Sequence, residues 1–364
     1  MDNAGGGPTT PEGVVARRGR GQRLVAELIA LGLVGVLLLT ALGAGVGALY
    51  RDVYGPRAFV THYLDLLAEG DAAEALLVPG VAVDSVELEA AGLPASASEA
   101  LLRPAAMSEI SDAAVVDETA DGDVTRVTVA YTAGGYAGRS TFTVRQDGWI
   151  GVAPRWTFVE SPLGVIELTV RGSMSFDVNG FEIDKRQVSI DGVDADPSAS
   201  VPLLVFSPGL YSVGVDTAIS ATPGVAVLAD SPLTGIPVDV QAEPTDEFVD
   251  VVQQRVNDFL TECAAQQVLQ PTGCPFGLTV RNRIDGTPTW SISRQPTVTV
   301  VPDGAGWRIP SAEAVAHIEV EIRSIYDGSL RNVSEDVPFL VDGAITVLPD
   351  GSASILVGGG MESD

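Results

Sequence analysis

Lysine, cysteine and histidine are scarce in this 364-residue chain, and their scarcity excludes several kinds of chemistry. The two Cys and two His do not cluster, so they do not supply the four ligands of a structural zinc site. The one lysine, Lys185, lies in neither a P-loop nor an S-x-x-K motif, which excludes the chemistries built on those motifs. The G-x-S-x-G and H-E-x-x-H motifs are absent as well. No motif therefore indicates a cofactor, a metal ion or a catalytic residue.

Positive charge is also scarce. The chain has 21 Lys and Arg against 48 Asp and Glu, which gives a formal net charge of −27. This acidity argues against direct contact with nucleic acid, whose phosphates repel a negative surface. Hydrophobic residues make up 46% of the chain, which excludes a mostly disordered protein. The length predicts two or three domains.

A long uncharged stretch follows the N-terminal tail. From Leu28 to Tyr50 there are 23 residues without a charge, and about 20 apolar residues cross a bilayer as a helix. Arginines at positions 17, 18, 20 and 23 precede it, which places the N-terminus in the cytoplasm by the positive-inside rule. We therefore predict a disordered cytoplasmic tail at residues 1–23 and a transmembrane helix at residues 24–50. The alternative is a cleaved signal peptide, whose apolar region is usually shorter.

Two later segments, residues 51–160 and 244–358, share an order of helix first and antiparallel sheet second. In the first, apolar residues recur at helical spacing over 59–67, and strand-like alternation follows over 127–131. In the second, helical spacing runs from Phe248 to Cys263. The sequence thus predicts two α+β domains with a weak internal repeat of architecture.

Residues 161–243 separate these two domains and predict a small β-sandwich of short strands, among them Ile166–Val170 and Gln187–Ile190. Asp-Gly pairs predict turns between strands, at residues 147–148, 303–304, 327–328, 342–343 and 350–351. A short tail at residues 359–364 ends the chain.

Cys263 and Cys274 close a loop of 12 residues. Outside the membrane, two cysteines this close in sequence favour a disulfide bond. The loop-entropy relation gives such a bond a stabilisation of about 3 kcal/mol. The alternative, a redox-active pair, usually has Cys-x-x-Cys spacing, which this pair lacks.

A few polar residues are candidates for chemistry. His317 shares a strand face with Glu319 and Glu321, a set that suits metal binding or acid-base catalysis, although a polar outer strand face is the favoured interpretation. The acidic loop from Asp191 to Asp196 lacks the spacing of an EF-hand and is interpreted as a solvated turn. His62 is interpreted as a surface residue.

Three stretches carry a resemblance to known families. Residues 59–72, FVTHYLDLLAEGDA, resemble the opening helix of nuclear-transport-factor-two-like domains, which have the cystatin-like cone fold. Residues 206–213, FSPGLYSV, are similar to a strand turn in bacterial envelope proteins of the teicoplanin-resistance-associated type. Residues 259–276 resemble single-span membrane proteins of GC-rich, actinobacterial-type bacteria, and the excess of Arg over Lys, 20 to 1, agrees with such a source.

The resemblance implies an α+β fold with one N-terminal transmembrane helix, followed by cone-fold modules that flank the small β-sandwich. It implies a membrane-anchored binding or scaffolding protein of the bacterial cell envelope, without catalysis. The alternative is an extracytoplasmic enzyme, a hydrolase or isomerase, that uses carboxylates in a cone-fold pocket. The chain departs from the teicoplanin-associated pattern in one respect, because residues 1–27 contain no Cys for its N-terminal zinc ribbon.

Charge narrows the expected partners. Beyond Glu27 the chain has 17 positive and 45 negative side chains, a net charge of −28. Acidic lipids and anionic wall polymers repel such a surface. Besides the plasma membrane that the single helix would cross, we expect an envelope protein, a neutral glycan or a cationic ligand as partner, and no nucleic acid. The sequence does not specify an oligomeric state.

Overall fold

The computed structural model describes residues 28–37, 40, 52–151 and 153–358. Residues 28–37 and Thr40 are helical. Among the described residues, no helix is both long and apolar enough to cross a membrane. The rest of the predicted transmembrane helix at residues 24–50 lies outside the described residues, as do the predicted tails at residues 1–23 and 359–364.

From Pro56 onward, the described chain forms an α+β fold with several antiparallel sheets. Its α-helices are α1 (Pro56–Glu69), α2 (Ala72–Leu77), α3 (Ser85–Ala90), α4 (Lys185–Val188) and α5 (Asp246–Ala264). Its strands are β1 (Ile110–Asp121), β2 (Val124–Ala133), β3 (Tyr136–Ile150), β4 (Ala153–Phe158), β5 (Leu163–Arg171), β6 (Ser175–Val178), β7 (Phe181–Asp184), β8 (Val201–Phe206), β9 (Gly209–Asp216), β10 (Ser220–Ala229), β11 (Gly235–Gln241), β12 (Glu243–Pro244), β13 (Arg283–Ile284), β14 (Thr289–Arg294), β15 (Val301–Asp303), β16 (Gly306–Arg323), β17 (Leu330–Val347) and β18 (Ala353–Gly358).

The first helix packs on the sheet β1-β2-β3-β4. α1 buries Val60, Tyr63, Leu64 and Leu67, which lie on one helical face because they are three or four residues apart. The helix ends before Gly70, whose φ of +74° is a left-handed conformation that glycine adopts without strain.

Aromatic rings fill the space between this helix and its sheet. The ring centroid of Tyr63 lies 6.2 Å from that of Phe142 and 5.3 Å from that of Phe158, and all three side chains are buried. Edge-to-face contacts of this kind add about 1 kcal/mol each to the free energy gained by burial. The interior of this unit is therefore a packed apolar core.

A second helix-and-sheet unit follows at the C-terminal end. The side chain of Thr245 accepts a hydrogen bond from the backbone N–H of Phe248 and caps α5. One face of α5, which includes Phe248 and Leu260, packs on the sheet β13-β16-β17-β18, with β14 and β15 also paired to β16. The ring of Phe248 lies 5.5 Å from that of Trp307, so aromatic side chains fill this interior as well.

Two sheets lie between these units in the chain and share an apolar core. They are the three-stranded sheet β11-β5-β8, in which β5 and β11 are parallel, and the five-stranded sheet β12-β10-β9-β6-β7. Leu163 and Phe206 from the first of these sheets contribute to the core under α1, and Met174 contributes to the core under α5. From Phe59 onward the described residues therefore form one compact unit.

Two buried tyrosines meet at the turn between β8 and β9. Tyr63 Oη donates to the carbonyl oxygen of Ser207 at 3.0 Å, and Tyr211 Oη donates to that of Phe206 at 2.8 Å. Burial raises the pKa of both phenols, because the charged form is costly to desolvate. Neighbouring carbonyls of one turn are thus bonded by side chains from two different cores.

Several local predictions are wrong. Asp147–Gly148 lies inside β3, at a register shift against β4 between Gln146 and Trp149, and the chain reverses beyond Ile150. Asp342–Gly343 lies inside β17. Gly148 has a φ of +88°, and Asp-Gly suits a bulge as well as a turn because glycine accepts a positive φ in either setting.

The strand predicted at Gln187–Ile190 is replaced by a helical turn, α4. The carboxylate of Asp184 accepts from the backbone N–H of Arg186 at 2.8 Å and also bonds the guanidinium of Arg186. This cap satisfies a backbone donor that a strand would have paired with a neighbour, and it explains why the segment turns.

Lys185 is fully buried at the start of α4. Its ammonium group donates to the backbone carbonyls of Val170 and Pro197. Burial lowers the pKa of Lys185 to about 8, and nearby Asp196 opposes part of that shift. Backbone oxygens thus surround the ammonium group, and its hydrogen bonds link Val170 and Pro197 to the start of α4.

We expect Lys185→Met to remove a pH dependence of stability. The pKa of Lys185 is about 8 in the folded protein and ~10.4 in the unfolded chain. Between these values the unfolded state binds more protons, so the free energy of unfolding of the wild type rises with pH relative to the variant. The rise should be on the order of 3 kcal/mol by pH 10.5.

Urea denaturation of both proteins from pH 7 to 10.5 measures this difference. The buried tyrosines are present in both proteins and cancel. A difference between the two free energies that stays constant with pH contradicts the expectation.

Candidate functional site

The loop after α5 is closed by a disulfide bond. Cys263 lies near the end of α5 and Cys274 lies beyond the helix, with the two sulfurs 2.01 Å apart and the two Cα atoms 5.7 Å apart. No free cysteine is present in the chain. The bond holds the start of the segment Pro275–Gly277 next to the helix end.

Side chains hold the same loop in place. Gln266 donates to the carbonyl oxygen of Thr272 at 3.2 Å and accepts from the backbone N–H of Thr272 at 2.9 Å. The indole N–H of Trp290, on β14, donates to the carbonyl oxygen of Val268 at 2.8 Å. The loop is therefore tied both to itself and to the sheet, independently of the disulfide.

A cleft of about 440 Å³ opens beside this loop. We call it the loop cleft. It is lined by Pro275, Phe276 and Gly277 from the loop, by Arg294, Glu313 and Ala314 from β14 and β16, and by residues 337–340 of β17. The ring centroid of Phe276 lies 4.9 Å from that of Trp290 and 5.0 Å from that of Phe339. The aromatic side of the cleft therefore packs against these two rings.

Charged groups of both signs stand at the loop cleft. A guanidinium nitrogen of Arg294 lies 3.8 Å from a carboxylate oxygen of Glu313, and the two side chains are 61% and 82% exposed. An ion pair this exposed contributes little to stability, so both groups remain free to contact a ligand. The arrangement suits a ligand with an apolar part and polar groups at its rim.

A second polar cluster surrounds His317 on β16. Its Nδ1 lies 2.8 Å from Asp336 Oδ1, and its Nε2 lies 3.2 Å from Ser334 Oγ and 3.9 Å from a carboxylate oxygen of Glu319. With a proton on Nδ1 donated to Asp336, Nε2 accepts from the Ser334 hydroxyl. Across the strands, Glu321 lies opposite Asn332.

The sequence indicated the His317–Glu319 pair but missed Asp336 and Ser334. Ser334 and Asp336 are two residues apart in the sequence and so share a face of β17. Their position next to His317 depends on the pairing of β17 with β16, which the sequence does not show. Among the described residues, no group of three His, Cys, Asp or Glu side chains is placed to hold a metal ion. The side chain of His317 is 30% exposed and that of Asp336 is 66% exposed, so this cluster lies on a solvent-exposed face of the sheet.

The remaining candidates lie apart from the loop cleft. His62 is exposed on α1. In the acidic loop, Asp196 accepts hydrogen bonds from the backbone N–H and hydroxyl of Ser198, and these bonds lower the pKa of Asp196. That carboxylate is therefore engaged in its own turn.

Comparison of the chain with protein-family models, with curated proteins and with solved structures finds no match in any of the three.

We expect the double variant Cys263→Ala/Cys274→Ala to lose stability. Opening a 12-residue loop restores conformational entropy to the unfolded chain, and the free energy of unfolding should fall by roughly 2–4 kcal/mol. Chemical denaturation measures the loss, and thiol labelling of the unfolded, unreduced wild type should find no free thiol. Thr261→Ala, an exposed change on α5, is the matched control and should leave stability within about 0.5 kcal/mol. Labelling of two thiols in the wild type contradicts the bond.

Proposed function

We propose that the protein is a membrane-anchored, extracytoplasmic binding or scaffolding protein of the bacterial cell envelope and that it works without catalysis. In this proposal residues 24–50 are the anchor, residues 51–160 and 244–358 are cone-like α+β domains, and residues 161–243 are a small β-sandwich between them. The resemblance of residues 206–213 to teicoplanin-resistance-associated proteins supports the same layout.

The packing of the two helix-and-sheet interiors carries the proposal. A cone-fold enzyme of the alternative kind needs polar groups in a cavity between helix and sheet. Here that space holds Tyr63, Phe142 and Phe158 in the first unit and Phe248 and Trp307 in the second. Ligands are left with the outer surfaces and with clefts such as the loop cleft.

The carboxylates give further support. Among the described residues, no Asp or Glu side chain is buried. Each Asp whose pKa is displaced has it lowered, by an Arg partner at Asp147, Asp184 and Asp285 and by serine hydrogen bonds elsewhere. A carboxyl that acts as a general acid near neutral pH needs a raised pKa, so these groups suit surface roles.

The disulfide bond supports an extracytoplasmic location, because such bonds persist in oxidising compartments. The loop cleft that it borders is the proposed contact site. Arg294 and Glu313 at its rim fit the expected partners, an envelope protein, a neutral glycan or a cationic ligand.

A reporter enzyme that is active only outside the cytoplasm tests the location. Fused after Asp364, it should be active in cells, and fused before Met1 it should be silent, because the arginine cluster retains the N-terminus inside. If intact-mass measurement finds a chain whose first residue lies near Leu49, the segment is a cleaved leader and not an anchor. A silent C-terminal fusion at normal expression contradicts the proposed location.

One observation favours an extracytoplasmic enzyme of a different kind from the pocket-carboxylate hydrolase or isomerase that the sequence suggested. Ser334, His317 and Asp336 form a hydrogen-bonded chain in the order nucleophile, base and orienting carboxylate. Against it, all three lie on a solvent-facing strand surface, where water weakens the electrostatic stabilisation that acyl transfer requires.

A fluorophosphonate probe distinguishes the two functions. Because water weakens the electrostatic stabilisation of an oxyanion formed at an exposed hydroxyl, we expect labelling of the wild type to match that of Ser334→Ala. Labelling of Ser334 that disappears in His317→Ala would overturn the non-catalytic proposal. Ser354→Ala, at another exposed strand serine, is the matched control.

A further inference from the structure

The turn between β16 and β17 presents two apolar side chains to solvent. Ile325 is 76% exposed and Tyr326 is 95% exposed, at the end of a hairpin whose two strands are each 18 residues long. The backbone N–H of Ser324 donates to the carbonyl oxygen of Ser329 at 2.9 Å and closes the turn. The carboxylate of Asp327 accepts from the backbone N–H and the hydroxyl of Ser329. The turn therefore engages its own carboxylate and leaves the two apolar side chains outermost.

Arginines flank this turn on both faces of the sheet. Arg283 on β13 lies opposite Arg323 on β16. Arg331 on β17 lies opposite Ile322, the neighbour of Arg323. Because opposed residues share a face and successive residues alternate between faces, Arg283 and Arg331 lie on opposite faces of the sheet. Arg281 precedes Arg283 by two residues, and these two side chains and that of Arg331 are all exposed.

The nearby carboxylates leave three of these arginines unpaired. Asp285 accepts from Nε and Nη2 of Arg323, at 3.0 Å and 2.7 Å, and Asp327 is engaged in its turn. Glu321 is the remaining acidic residue. In the part of the chain that the structure describes, no carboxylate forms an ion pair with Arg281, Arg283 or Arg331.

We call residues 281–285 and 321–331 together the hairpin tip. They contain four Arg against three Asp or Glu, a net charge of +1, in a chain whose formal net charge is −27. The hairpin tip therefore combines a local excess of positive charge with an exposed apolar turn.

We propose that the hairpin tip binds the surface of an anionic lipid bilayer. Guanidinium groups pair with phosphates, and tyrosine and aliphatic side chains are stable at the depth of the headgroups and the acyl boundary. A hairpin that meets the bilayer end-on brings Ile325 and Tyr326 to that depth first. Arg283 and Arg331 then reach the lipid phosphates on the two sides of the turn.

The net charge of the chain does not prevent this contact. Interactions between exposed charges are largely screened beyond about 8 Å at physiological ionic strength. Lipid phosphates at the hairpin tip therefore interact with the charges of the tip itself. The repulsion expected from a net charge of −27 applies to the rest of the surface.

A bilayer fits the hairpin tip better than a dissolved polyanion does. A polyanion would pair with the arginines but would leave Ile325 and Tyr326 in water, whereas a bilayer interface covers them. The proposed function, on which this further reason depends, also places a bilayer close by. There the chain leaves the membrane at residue 50, nine residues before the compact unit begins at Phe59. The membrane is then present at a high effective concentration.

Fluorescence of the full-length protein reconstituted in lipid vesicles tests the contact. Because the native cysteines are bonded, Ile325→Cys introduces one free thiol for the environment-sensitive dye nitrobenzoxadiazole. We expect at least threefold higher dye fluorescence in vesicles that contain phosphatidylglycerol than in vesicles of phosphatidylcholine alone, because the anionic surface draws the dye out of water. Val193→Cys, in the acidic loop, has the same 76% exposure at the native residue and is the matched control. Its fluorescence should be equal in the two kinds of vesicle.

Charge reversal in the Ile325→Cys protein tests the role of the arginines. Arg281→Glu/Arg283→Glu/Arg331→Glu should abolish the difference between the two kinds of vesicle. Reversal of three other exposed arginines, Arg139→Glu/Arg145→Glu/Arg308→Glu, is the matched control and should preserve it.

Several results would overturn the proposal. They are equal dye fluorescence in neutral and anionic vesicles, a difference that the hairpin-tip variant retains, and a difference that the control variant also loses. An equal increase on addition of soluble polyphosphate to protein in neutral vesicles would assign the tip to a dissolved polyanion instead. Flotation with phosphatidylcholine vesicles tests the anchor separately, because neutral lipid retains an anchored chain without attracting the arginines.

Discussion

Two tyrosine hydrogen bonds at the β8–β9 turn couple the core under α1 to the core of the middle sheets. Tyr63 and Tyr211 belong to different cores, yet they donate to the carbonyls of adjacent residues, Ser207 and Phe206. Each bond satisfies a phenol and a carbonyl that burial would otherwise leave unpaired, at a cost of about 1–3 kcal/mol per group. Neither core can therefore shift without breaking a bond at this turn.

The middle sheets extend this coupling in both directions along the chain. Phe206 packs under α1, whereas Met174 packs under α5, and the indole N–H of Trp307 donates to the carbonyl oxygen of Ala242 at 3.2 Å. Units that share core residues in this way do not move as independent domains. Surface sites such as the loop cleft therefore keep fixed positions relative to the other sites on the described residues from Phe59 onward.

Much of the fold follows from periodicity, and most of the failures follow from pairing that periodicity does not reveal. The long helices α1 and α5 and the alternating strand β2 are evident in the sequence because burial selects one face. The short helix α3 was missed, although Asp84 and Glu87 form a capping box that the sequence displays. Val298 lies outside the described strands, and its backbone N–H donates to the side-chain oxygen of Gln253 at 2.8 Å. The neighbours of His317 required the β16–β17 register, which no local signal specifies.

The positions of the charged side chains explain more about strand pairing than the net charge of the chain does. Carboxylates of the described chain lie on outer faces and on edge strands, as in β1, where Asp117, Glu118 and Asp121 accompany two register shifts. Charges placed there keep open backbone edges from pairing, since a second strand would have to approach through like charge or desolvate a carboxylate. The acidity of the chain therefore acts locally as a selection among edges. Together with the prolines of β4, β8, β11 and β12 and with Arg283 of β13, it leaves the uncharged β18 as the one end strand of the described sheets that has neither a charge nor a proline.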